Sequence, residues 1–259
     1  MTTRLSMYLG AIAVLVFTVV VATLAILDIR TVFKSPLITA IGFFFTAAIA
    51  FVVAYISAKS YLQYGSPLIL LLGNGVLALG SASLLGALAV ALLGAGNIPA
   101  TILETGLLVA SALHFQSAFV ALLGAPLQEV QQNRRAWVML ASLGVVMFLA
   151  WLTIATFQGV TPAFYIEKVG TTPLQNWVTG ASSALFAMSF LILMRLYLRS
   201  RSDILYWYSL ALALIAAGRF ASSLIEIADT PIHWVARFAQ YLGAVYLLVT
   251  VLISVKGGK

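Results

Sequence analysis

The sequence predicts an all-α integral membrane protein, a bundle of about eight transmembrane helices with both termini cytoplasmic. Of 259 residues, 63% are hydrophobic and only 8% charged, far from the usual make-up of a soluble domain. The apolar residues also run in long stretches. A helix rising about 1.5 Å per residue needs roughly 20 of them to cross a hydrocarbon core about 30 Å thick. Finally, the lysines and arginines gather on alternate connections, which orients the chain.

The first stretch, residues 6–27, follows a short start that carries only Arg4 and has no small-residue cleavage site, so it is expected to stay as a helix. Residues 37–58 lie between a connection bearing Arg30 and Lys34 and the basic Lys59. Stretches 67–94 and 98–125 flank Gly94, Gly96, Asn97 and Pro99. Each is long enough to cross alone, which favours eight spans over seven. Residues 136–157 follow Arg134 and Arg135, and 173–197 run into Arg195 and Arg199. The last two, 204–228 and 232–255, are joined by a turn at Asp229-Thr230-Pro231. With eight spans, Arg4, Lys59, Arg134, Arg135, Arg195, Arg199, Arg201, Lys256 and Lys259 share the side of the termini, leaving Arg30, Lys34 and Lys168 opposite. That asymmetry places the termini in the cytoplasm. No linker or polar block marks a boundary, so residues 1–259 read as a single polytopic domain in the cell membrane.

On the third stretch Gly75, Ala78, Ala82, Gly86 and Ala89 recur every three or four residues. Such a stripe lets another backbone approach closely, either within the bundle or in a dimer. No internal repeat points to the inverted halves of many secondary transporters.

Several chemistries are excluded or unsupported. Cysteine is absent, which removes disulfides, thiolate nucleophiles, iron–sulfur clusters and Cys-ligated zinc. There is no HExxH, Walker loop, Gly-x-Ser-x-Gly elbow or acidic metal cluster. An enzyme is not expected, a lipid-modifying site built on Glu104 and the arginines being the catalytic alternative. The last two stretches lack a mid-membrane lysine for a retinal Schiff base. Two histidines invite a haem, but His114 lies roughly 24 Å below the outer surface and His233 at it, so within one subunit they cannot flank the same iron. No cofactor and no nucleic-acid partner is expected.

The charges that remain are concentrated. "AAGRFASSLIEIADTPIHWVARF", residues 216–238, places Arg219, Glu226, Asp229, His233 and Arg237 across one turn. Counting rise per residue puts Glu226 and His233 near the outer interface and Arg219 and Arg237 roughly 8–14 Å below it. Glu104, on the fourth stretch, reaches a similar depth, and Gln240 lies about one turn deeper. Groups of this kind avoid lipid and find partners in the bundle. Two readings follow: a buried ion pair in which Glu104 neutralises Arg219 or Arg237, or a pocket for a small polar or anionic ligand from the outer side. His114, Gln116 and Asn74 are expected to form a hydrogen-bonded contact in the inner half, with a proton relay, a ligand contact or a single-His cofactor site as the alternatives. Between the fifth and sixth stretches, "TFQGVTPAFYIEKVGTTPLQNW" is too short and broken to span. It reads as a loop anchored by Phe157, Phe164, Tyr165 and Trp177, roofing the polar layer or forming an ordinary aromatic belt.

At "TPAFYIEKVGTTPLQNW", "YWYSLALALIAAGRF" and "VARFAQYLGAVYLLVTVL" the sequence resembles the membrane-associated sensor (MASE-type) domains of bacterial and archaeal sensor histidine kinases and diguanylate cyclases. The likeness is closest from Ser117 to Ile253. It implies a module that takes up an extracellular or membrane-borne signal and passes it through the last helix to a cytoplasmic output domain or partner protein, with homodimerisation expected where such an output is attached. The sequence ends at "SVKGGK", where an output domain would begin, so an isolated sensor module or a separate partner subunit is expected. The family implies no ligand and no site residue. Membrane lipids are the remaining expected partner. The alternatives are a small transporter or channel using the Arg219, Arg237 and Glu104 layer, or a structural subunit of a membrane complex.

Overall fold

The computed structural model describes residues 4–27, 29, 31–33, 35–94, 96–124, 133–167, 169–224 and 230–256. They form eight helices: α1 (Arg4–Leu27), α2 (Pro36–Tyr64), α3 (Pro67–Leu93), α4 (Asn97–Leu123), α5 (Arg134–Phe157), α6 (Pro173–Ser200), α7 (Asp203–Ser223) and α8 (Pro231–Lys256). All eight are long and apolar enough to cross a membrane. Two short antiparallel strands, β1 (Tyr165–Ile166) and β2 (Gly170–Thr171), join α5 to α6.

Local chemistry sets the ends. Proline occupies the first turn of α2, α3 and α6, where its missing N–H costs nothing. Ser35 and Thr172 cap α2 and α6 by accepting from Ile38 N and Gln175 N. α2 runs past the expected end at 58, because a helix stops at a capping geometry and not at the hydrocarbon boundary. That geometry is Gly65, left-handed at φ 74°. Arg134 then donates to the orphan carbonyls of Leu62 and Gln63 at 3.2 and 3.1 Å. α7 was expected to reach 228 and is helical to Ser223; residues 225–229 lie outside the described set.

Neighbouring helices close a ring in the order α2, α3, α4, α6, α7, α8 and back to α2. α5 lies outside it on α3 and α4, and α1 lies outside on α7 and α8. α7 is the most enclosed, with 78% of its most apolar window buried against 11% for α1. Its run from Tyr206 to Ala216 is buried on every side, the condition that requires a helix apolar all round.

The small residues of α3 face two ways. Gly73 abuts Ser57 and Gly80 abuts Ala50, both on α2. Gly75, Ala82 and Gly86 face His114, Gly106 and Leu103 on α4. The stripe seen in the sequence is therefore used inside the bundle. An added Cβ on Gly106 would lie 2.2 Å from that of Ala82, which fixes how closely α3 and α4 approach.

Candidate functional site

Seven residues into α4, Glu104 projects into the bundle at the end where the β hairpin lies. Its carboxylate accepts from Arg219 through both guanidinium nitrogens, Nη1 to Oε1 at 3.1 Å and Nη2 to Oε2. Thr179 on α6 donates to the same Oε2 at 2.8 Å. Arg219 Nε donates to Ser182 Oγ at 3.3 Å, and Ser182 in turn donates to the carbonyl of Thr179 at 2.9 Å. Arg219 and Glu104 are 3% and 9% exposed. Three helices are thus joined by a two-pronged charged pair that the Thr179 and Ser182 hydroxyls also hydrogen-bond, the kind of arrangement that makes a buried charge tolerable. One turn further in, Ser183 donates to Ala216 O and ties α6 to α7 again.

Above this pair, toward the hairpin, lie polar atoms with no hydrogen-bond partner among the described residues: Gln175 Oε1, Thr161 Oγ1 and Thr230 Oγ1. Gln175 is one turn before Thr179 on α6, so both share a face. Asn97, the first residue of α4, holds the hairpin down by accepting from Phe164 N at 2.8 Å and Tyr165 N at 3.1 Å. Thr172 closes the loop from the other side by donating to Ala163 O. Of the four aromatic anchors expected here, Phe164 is buried and Tyr165 half-buried, whereas Phe157 and Trp177 face outward.

The rest of the expected cluster divides. Arg237 does not join Glu104. Its Nη1 donates to Thr39 on α2 at 2.7 Å, and its guanidinium lies 4.9 Å from the Trp234 ring centre and 5.8 Å from that of Phe43. His233 lies within Coulombic reach of both arginines. Gln240 packs its Cγ against Gly218, the residue before Arg219. Glu226 lies outside the described residues.

At the opposite end His114 is fully buried, but its partner is not the expected one. Its Nδ1 meets Tyr208 Oη on α7 at 2.7 Å, and its ring lies edge-on to Tyr208 and tilted against Phe186. Asn74 donates to Leu70 O in its own helix, and Gln116 is exposed, two residues from His114 and so on another face. The sequence reading missed Tyr208. Depth was the available signal, since five residues into α7 from the opposite end reaches the level of His114.

Eight apolar helices around a small set of buried polar contacts define a multi-pass membrane protein. The family model of MASE3, described as a membrane-associated sensor domain, matches residues 31–256, and the chain belongs to that family. The match takes in α2 to α8 and so extends the resemblance beyond the later helices; α1 precedes it. No curated protein and no solved structure matches the chain.

Proposed function

We propose that this sensor domain receives its signal in the polar layer beneath the hairpin and transmits it through α8 to a cytoplasmic output domain or partner protein. The observation that carries the reading is the adjacency of Arg219 and Gly218. Arg219 holds the charged pair, while a Cβ on Gly218 would lie 2.5 Å from Ala236 O on α8. Here the backbones of α7 and α8 touch, as they do again at Gly243 against Ile215 and Ala211 O. A ligand that re-pairs Arg219 or Glu104 would shift α7, and α8 cannot keep its place when α7 moves, because close-packed contacts are bistable and not compliant.

The Gln175, Thr161 and Thr230 oxygens, without a partner among the described residues, mark the entry side, where a small polar or anionic ligand finds hydrogen bonds before reaching Arg219. The positive-inside rule puts this end outside and the end bearing Lys59, Arg134, Arg135 and Arg199 in the cytoplasm. Sensing also requires that the ligand bind one helix arrangement better than the other.

A chimera with a diguanylate cyclase fused after Lys259 tests the reading. Arg219→Gln and Glu104→Gln should change cyclase output at equal membrane insertion, with the bilayer remaining ion-tight in reconstituted vesicles. Unchanged output in both variants defeats the sensor site. Specific flux lost in Glu104→Gln would instead establish the transporter alternative.

A further inference from the structure

Away from the layer just described, at the other end of the bundle, a cavity of about 400 Å³ opens where α3 and α7 begin and α4 and α6 end. Its lining is amphipathic. Leu68, Leu196 and Leu205 give an apolar wall, and Ser66, Ser200 and Arg199 stand at its polar side. Arg199 is in the last turn of α6 and exposed. Its neighbour Arg201 turns away, its guanidinium lying 5.8 Å from the Tyr197 ring centre.

We propose that this cavity is a binding site for an anionic phospholipid, with the phosphate on Arg199 and Ser66 and the first acyl methylenes against the leucines; the Ser200 hydroxyl already donates to Leu196 O at 3.0 Å. Charge complementarity selects the headgroup, because the one charged side chain among the described residues lining the cavity is the cation Arg199. The apolar wall selects a lipid over a free anion, since a soluble phosphate would leave that wall unused. Basic pockets between helix ends at a membrane boundary suit anionic headgroups in this way. The site touches α4, α6 and α7, the helices that carry Glu104, Thr179 and Arg219 at their far ends.

The test is native mass spectrometry of the full chain, titrated with phosphatidylglycerol or phosphatidylcholine. One phosphatidylglycerol should bind at least tenfold more tightly than phosphatidylcholine. Arg199→Gln should weaken it about tenfold, the scale of a charge-assisted hydrogen bond. Ala121→Phe, which fills the cavity from α4, should do the same, while Arg195→Gln, outside the lining, should not. Equal affinity for the two lipids, or affinity unchanged in both Arg199→Gln and Ala121→Phe, overturns the proposal. Displacement of the lipid by glycerol 3-phosphate at equal concentration would also overturn it, by showing that the phosphate alone is recognised.

Discussion

Replacing Glu104 with glutamine keeps the side-chain shape and removes the charge that Arg219 faces. Arg219 then remains 3% exposed, with Ser182 Oγ as a polar neighbour besides the new amide. Breaking a buried pair from one side costs about 3–5 kcal/mol, which is two to three and a half powers of ten in the unfolding equilibrium, at about 1.4 kcal/mol per tenfold. Arg219→Met in the native background strands the carboxylate and should cost a similar amount, although Thr179 still donates to it. The double variant removes both charges and fills the space with apolar volume. It should be far more stable than the sum of the single effects predicts, with a coupling energy of about 2–3 kcal/mol. Reversible denaturation in mixed micelles, followed by tryptophan fluorescence, measures all four corners of the cycle. Additive effects, or a Glu104→Gln variant as stable as the native chain, would refute the reasoning that these two charges compensate one another.

Other contacts give independent expectations. Gly106→Ala brings two Cβ atoms to 2.2 Å and should cost about 1–3 kcal/mol by overpacking; adding Ala82→Gly should restore most of it in the same unfolding assay. Tyr208→Phe removes the partner of His114 Nδ1 and should destabilise by about 1–3 kcal/mol, whereas His114→Phe combined with Tyr208→Phe should cost less than the two changes summed. Asn97→Ala deprives Phe164 N and Tyr165 N of their shared acceptor. Hydrogen exchange at residues 163–172 should rise by about tenfold, the equivalent of one hydrogen bond, while exchange in α3 stays unchanged.

The helices were legible because hydrophobic length is a property of the chain alone, and their ends departed from expectation where capping decided them, as at Gly65. Depth was legible too. Counting residues from each boundary placed Glu104, Arg219 and Arg237 in one layer, and the same count applied to Tyr208 would have found the partner of His114. Azimuth was not legible, since the rotation of α8 about its axis depends on what it packs against. Arg237 therefore faces Thr39 and Phe43 on α2 and the Trp234 ring of its own helix, while Arg219 takes Glu104. The strands escaped notice because two residues each carry no periodicity; Gly170-Thr171-Thr172-Pro173 showed only a turn.

If the charged layer sets the position of α8, as proposed, the absence of cysteine from the sequence allows a direct measurement. At the far end of the bundle Ser60 on α2 and Ser254 on α8 place their hydroxyls 3.4 Å apart, close enough for a cysteine pair to bridge. The oxidation rate of a Ser60→Cys, Ser254→Cys variant therefore reports where the end of α8 stands. Adding Arg219→Gln should change this rate severalfold, while an exposed change on α5 such as Trp151→Leu should leave it alone. An identical rate with and without Arg219→Gln, in protein that is folded and inserted, would contradict the proposal.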